Sequence, residues 1–215
     1  ITLGTAPGKR NRVQNASFTG ATETGKKLVQ ASVANMKKLT LELGGKSPVI
    51  VYKDADLTTA IPGIAAGIFG NAGQVCVAGS RLFAAPEIYD DLLSGLIAYA
   101  QNIKVGDGLD PATTMGPLIS DAHRKRVLGY VTRGIEQGAT LATGGKPLDG
   151  KGFFMEPTIL TQVTADNCVA REEIFGPVLS IIKHDDMDRV IQAANATDFG
   201  LAGSVWTQDI SLAHK

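Results

Sequence analysis

Cys76 sits in Gly73-Gln74-Val75-Cys76-Val77-Ala78-Gly79-Ser80-Arg81, a run of mostly small residues that follows an apolar, helix-like stretch. A lone thiol on a glycine-flanked loop is where a chain would present a nucleophile to a small substrate. A free cysteine has a pKa of about 8.5, and it attacks a carbonyl at neutral pH only when its surroundings activate it. The competing reading is a buried small hydrophobe, the commoner state of a free cysteine. Glu42 stands in Leu41-Glu42-Leu43-Gly44-Gly45-Lys46-Ser47-Pro48, within an apolar strand beside paired glycines. A carboxylate desolvated there becomes a better proton acceptor near neutral pH. An edge-strand glutamate facing water fits the same residues.

Two further segments carry chemistry. Arg171-Glu172-Glu173-Ile174-Phe175-Gly176-Pro177-Val178 puts two acids before a turn that feeds a strand. A carboxylate there can accept hydrogen bonds from a sugar diol, or it can be part of a solvated turn. Gly20-Ala21-Thr22-Glu23-Thr24-Gly25-Lys26-Lys27 follows a short strand. A glycine turn into a helix aims backbone N–H groups at an anion such as a phosphate. Three readings stay open. A dinucleotide pyrophosphate turn lacks the G-x-G-x-x-G fingerprint. A P-loop matches through Lys26 but has Lys27 where a magnesium-binding Ser/Thr belongs. A plain strand–turn–helix needs no ligand.

Elements that would position these residues alternate along the chain. Strands are expected at Ala16–Phe18, Leu39–Leu43, Pro48–Tyr52, Arg81–Ala85, Val178–Ile182 and Ala202–Trp206. Helices are expected near Thr24–Asn35, Leu57–Phe69 with Asp56 as N-cap, from Pro86 onward, Ser120–Gly138 and Asp186–Ala196. Pro62 falls within the second of these and could bend it. Such alternation predicts an α/β fold, an open mostly parallel sheet with helices on both faces. Ligands bind such sheets at the carboxyl ends of the strands.

Composition excludes other classes. The chain has 215 residues with Lys+Arg and Asp+Glu both at 21, so it lacks the basic excess of a nucleic-acid or acidic-lipid surface. Two cysteines form no disulfide framework and point to a reducing, cytoplasmic compartment. No run of about 18 apolar residues is available to span a membrane. The histidines, His123, His184 and His214, show no metal-ligand spacing, so no metal is expected. Cys168 and Trp206 read as packing residues. The basic cluster Lys9-Arg10-Asn11-Arg12 reads as a solvated loop.

The motifs occur in one order, with Glu42 and Cys76 separated by 34 residues. With Phe18-Thr19-Gly20, Met115-Gly116-Pro117-Leu118-Ile119, Gly144-Gly145-Lys146, Gly152–Thr158 and Phe199-Gly200-Leu201-Ala202, the chain resembles the NAD(P)-dependent aldehyde dehydrogenase superfamily. The resemblance runs from about Ala16 to the end. It implies that Cys76 attacks an aldehyde to give a thiohemiacetal, that a nicotinamide takes the hydride, and that Glu42 activates the water that hydrolyses the thioester. It places Gly20 and Gly25 at the cofactor pyrophosphate, the Leu43 backbone near the nicotinamide, Glu173 on the nicotinamide ribose and Phe175 by the ring. NAD is favoured over NADP. Residues 1–43 would end a dinucleotide-binding domain, and residues 44–215 would belong to the catalytic domain. The chain reads as a piece of a longer protein, itself inactive, whose parent is a homodimer or homotetramer. Ala21 departs from the serine common at that position, and Gly4–Asn15 departs from the pattern before the turn.

Overall fold

The computed structural model describes residues 13–184 and 186–215, so the cluster Lys9-Arg10-Asn11-Arg12 lies outside the described residues. The chain divides into two compact units, Ile1–Gly44 and Gly45–Lys215. In the first, strands β1 (Asn15–Thr19) and β2 (Lys38–Glu42) pair in parallel, joined through helix α1 (Thr22–Ser32) and a 3-10 turn at Val33–Asn35. Gly25 is buried on α1, and a Cβ there would press into the Leu43 side chain at 2.7 Å. The missing side chain therefore lets the helix close onto the end of β2.

The second unit is a six-stranded sheet in the order β5-β6-β7-β4-β3-β8. Its strands are β3 (Pro48–Val51), β4 (Arg81–Ala84), β5 (Thr140–Thr143), β6 (Thr158–Thr161), β7 (Val178–Lys183) and β8 (Ser204–Trp206). Every pairing is parallel except that of β5 with β6. The helices are α2 (Leu57–Phe69), α3 (Tyr89–Asn102), α4 (Asp121–Glu136), α5 (Cys168–Arg171), α6 (Met187–Asn195) and α7 (Ile210–Ala213).

The register assigns helices to both faces. Leu160, Ser180 and Arg81 lie in one row across β6, β7 and β4. Ser180 Oγ donates to the Val169 carbonyl of α5, Arg81 donates to the carbonyls of Ala193 and Ala194 on α6, and Gly134 of α4 packs against Leu160. On the opposite face Val51 and Trp206 stand side by side, and the Trp206 ring lies over Gly63 of α2. Helix α3 in turn packs Gly95 against Ile61 of α2. The sheet centre is buried on both sides, with Leu82, Leu179, Ile181 and Ile159 at 0–1% exposure, as a parallel sheet requires.

Local signals set most element ends. Asp56 caps α2 by accepting from the Thr58 N–H at 2.9 Å, and Ser120 caps α4 by accepting from the His123 N–H. Pro86 does not open α3. It sits in a turn that precedes the helix by three residues, with the Tyr89 N–H bonded to its carbonyl. Strands β5 and β6 were not expected, because each is a four-residue threonine-bounded run without alternation.

Candidate active site

Of the residues singled out above, Gly20, Gly25, Glu42 and Leu43 belong to the first unit, and Cys76, Glu173 and Phe175 to the second. In the first unit Gly20 N–H donates to the Glu42 carbonyl at 3.0 Å, which ties the glycine turn to the carboxyl end of β2. Glu42 is exposed there, so the strand's own packing leaves its carboxylate solvated. Helix α1 begins at Thr22, two residues after Gly20, and Lys26 lies inside it in an ion pair with Glu23. A P-loop needs those residues as a loop that wraps a phosphate. That reading of Gly20–Lys26 is therefore wrong: the glycine-to-lysine spacing is spent on the first helical turns.

In the second unit Cys76 lies in a turn closed by the Ala78 N–H on the Val75 carbonyl at 3.0 Å, and it is half-buried. The approach to it is strained. Asn71, Ala72 and Gly73 all take left-handed backbone angles, with φ of 50°, 52° and 68°. Consecutive left-handed residues cost energy unless their surroundings hold them. Gln74 supplies much of that hold. Its side-chain Nε2 donates to the Asn71 and Pro117 carbonyls, its Oε1 accepts from the Ile119 N–H at 2.9 Å, and Asn71 Nδ2 donates to the Gln74 carbonyl. One side chain thus rivets the thiol loop to the segment Met115–Ile119.

Glycines let other backbone approach the thiol loop. A Cβ on Gly45 would collide with the Cys76 carbonyl oxygen, and one on Gly73 with the Gly176 carbonyl. The packing is tight: Gly45, Gly73, Val75, Glu173 and Phe175 help line a cavity of only about 10 Å³. Glu173 Oε1 accepts from the Gly45 N–H at 3.1 Å, which links the acid to the glycine packed against Cys76.

The Glu172–Phe175 segment is held by one stripe of α4. His123 Nε2 meets the Phe175 carbonyl at 2.6 Å, and its ring meets the Phe175 ring edge-on. Arg126 donates to the carbonyls of Ile174 and Glu173, and Tyr130 Oη donates to Glu172 Oε2 at 2.8 Å. Phe175 itself is left-handed, with φ 58°. Burial, aided by the Glu172 carboxylate, raises the Tyr130 hydroxyl above its ordinary pKa. His123, Arg126 and Tyr130 are spaced i, i+3, i+7, a helical stripe that was visible as spacing but pointed to no partner.

Two buried cations flank the site. Arg81 is 3% exposed, donates to three carbonyls and is lowered by burial to about 10. Lys46 is 2% exposed, and burial followed by the Arg81 charge pushes it down to about 7. Cys168 is buried, which raises its thiol pKa, in keeping with a packing role. Among the described residues no cluster of three or more His, Cys, Asp or Glu could hold a metal, and no helix is long and apolar enough to cross a membrane.

A family model for the aldehyde dehydrogenase family matches residues 2–215. The chain belongs to the aldehyde dehydrogenase family. It is 48% identical over 213 residues to a betaine aldehyde dehydrogenase of Bacillus subtilis, covering 97% of this chain and 44% of that relative. A betaine aldehyde dehydrogenase of Rhizobium leguminosarum is 45% identical, covering 94% of this chain and 42% of the relative. The NAD+ complex of an aldehyde dehydrogenase from Bacillus cereus superposes with a TM-score of 0.94 at 44% identity, over 96% of this chain and 42% of that one. An NAD-dependent aldehyde dehydrogenase from Sinorhizobium meliloti gives a TM-score of 0.96 at 42% identity, over 98% and 42%. The chain thus spans less than half the length of the relatives it matches. The α/β architecture with its mostly parallel sheet is that of the family.

Proposed function

We propose that this chain carries the nucleophile of an NAD(P)-dependent aldehyde dehydrogenase, an oxidoreductase that converts an aldehyde to a carboxylic acid. The observation that carries the reading is the braced left-handed turn that delivers Cys76 against Gly45, beside Glu173, in a chain of this family. Cys76 Sγ, as thiolate, adds to the aldehyde carbon, and the Cys76 N–H is available to the oxyanion. When bound, the nicotinamide cofactor supplies the hydride acceptor. A thiolate suits both halves of the cycle, since it adds to a carbonyl and later departs from the thioester. Glu42 takes the proton of the water that releases the acid, a role open to a carboxylate near neutral pH.

The residues at hand fit a dinucleotide. Helix α1 starts at Thr22 behind an N-cap, Ala21, that makes no side-chain hydrogen bond, which leaves early N–H groups to an anion. The Thr22 hydroxyl in that first turn is buried and has no hydrogen-bond partner. With Gly20 and Gly25 shaping the turn, these groups would take the pyrophosphate, and Leu43 would lie near the nicotinamide. Glu173 spends Oε1 on Gly45, which leaves Oε2 for the ribose diol, with Phe175 beside the ring. Residues 1–43 would then close a dinucleotide-binding domain and residues 44–215 belong to the catalytic domain. NAD is favoured over NADP, since similar structures are named for NAD. A cytoplasmic homodimer or homotetramer completes the reading, in keeping with two unpaired thiols.

The isolated 215-residue chain is expected to be inactive. The test is a chimera in which it replaces the matched segment of the Bacillus subtilis relative. NAD-dependent oxidation of betaine aldehyde is expected, with loss of turnover in Cys76→Ser and a smaller kcat with hydride transfer retained in Glu42→Gln. A folded chimera in which Cys76→Ser leaves the rate unchanged refutes the assignment.

A further inference from the structure

Arg81 opens β4 a few residues after Cys76, and it is 3% exposed. Each of its side-chain nitrogens is bonded to a main-chain carbonyl. Nη1 and Nη2 donate to Ala193 at 3.0 Å and to Ala194 at 2.9 Å, in the last turn of α6, and Nε donates to Lys46 at 2.8 Å. A helix leaves its last carbonyls without partners of its own, and a cation is favoured beside them. The Arg81 N–H meanwhile donates to the Ser47 carbonyl at 3.3 Å. One residue thus takes two successive carbonyls, those of Lys46 and Ser47, and ties them to a helix end 112 residues further along the chain.

The segment held in this way is in contact with the thiol loop and with the acid. Gly45 and Lys46 precede β3 and belong to no strand, so no sheet ladder fixes them. The Gly45 N–H donates to Glu173 Oε1 at 3.1 Å, and a Cβ on Gly45 would fall 2.3 Å from the Cys76 carbonyl oxygen. We propose that Arg81 is a positioning residue: by tying the Lys46 carbonyl to the end of α6, its guanidinium fixes Gly45, and Gly45 in turn seats the Cys76 main chain and the Glu173 carboxylate. A planar fork can bond three carbonyls from one side chain, whereas lysine, a point charge, cannot reproduce the set. In the reading of Glu173 as the acid that grips the cofactor ribose, a loosened Gly45 weakens that grip. This consequence rests on that reading, whereas the tie from Arg81 to Gly45 does not.

The test is amide hydrogen exchange by NMR in the 215-residue chain, with Arg81→Lys set against the unaltered sequence. The Gly45 N–H is expected to exchange about tenfold faster in the variant, relative to the Ile181 N–H at the sheet centre, which reports the stability of the whole unit. A variant that quickens both amides alike has lost stability only and overturns the proposal, as does an unchanged Gly45 rate. If Arg81→Lys does not fold, the unaltered chain decides. Its Arg81 Nε–H is expected to exchange at least about 100-fold more slowly than that of exposed Arg189, and equal rates overturn the proposal. In the chimera, Arg81→Lys is expected to raise the KM for NAD about fivefold, the worth of one hydrogen bond. An unmoved KM beside a quickened Gly45 would sink the ribose role of Glu173 and leave the tie standing. A chimera inactive with Arg81 in place would sink the dehydrogenase reading alone; an active chimera with an unchanged Gly45 rate would sink only this inference.

Discussion

Lys46→Met should make the folded chain more stable, by an amount that depends on pH in a set way. Methionine keeps an unbranched side chain of similar length and removes the buried amine. In the unfolded chain the lysine holds its proton up to about 10.5, but in the fold only up to about 7. Between those values the unfolded state binds more protons, so the stability contributed by this group rises with pH. The fall from 10.5 to about 7 amounts to about 5 kcal/mol of penalty that is fully present below neutrality and fades toward pH 10.5. Titrating groups that do not interact with Lys46 are common to both proteins and cancel in the difference. Urea unfolding of both proteins from pH about 6 to about 10 reads it directly. The stability gap in favour of Lys46→Met should be widest and flat on the acid side, then shrink steadily above neutrality. A gap that stays constant from neutrality to pH about 10 would refute the buried-amine argument, because a lysine with an ordinary pKa gives no slope in that range.

Two other outcomes test the loop. Iodoacetamide should label half-buried Cys76 in the folded chain and reach Cys168, 6% exposed, only on unfolding, as peptide mass spectrometry would show; equal labelling of both thiols in the native chain would contradict the burial. Gln74→Ala removes three side-chain hydrogen bonds that brace left-handed Asn71 and Ala72, so it should cost about 2 kcal/mol and speed hydrogen exchange at residues 71–79. Unchanged exchange there would mean that the surrounding backbone packing, not Gln74, holds the turn.

What the sequence disclosed and what it hid differ in kind. Period and punctuation made most helices and central strands legible: Leu57–Phe69 coincides with its helix, Asp56 caps it as expected, and Ser120 stands where a helix was expected to begin. Motif order drew attention to Cys76, Glu42 and Glu173, the residues proposed for the chemistry. Strands β5 and β6 stayed hidden, since each is only four residues long and neither alternates, β6 being buried throughout. The brace on the Glu172–Phe175 segment stayed hidden for another reason. Most of its bonds run from side chains to carbonyls some fifty residues away, and a carbonyl has no residue type to recognise.

That asymmetry bears on how the site works. Glu173 and Phe175 are the groups given chemical roles, yet His123, Arg126 and Tyr130 touch mainly the backbone around them and the neighbouring Glu172. Phe175 takes a left-handed angle that a bulky residue avoids, and His123 bonds to its carbonyl. The same arrangement recurs at the thiol, where Gln74 bonds to main-chain groups on either side of the left-handed Asn71–Gly73 turn. In both places a polar side chain meets strained backbone a few residues from Cys76 or Glu173. A strained turn that is fully bonded has few alternatives of similar energy, so it holds Cys76 and Glu173 to a narrow range of positions. Loss of a brace should therefore blur the positions of Cys76 or Glu173 well before it unfolds the sheet, whose buried centre draws on neither brace.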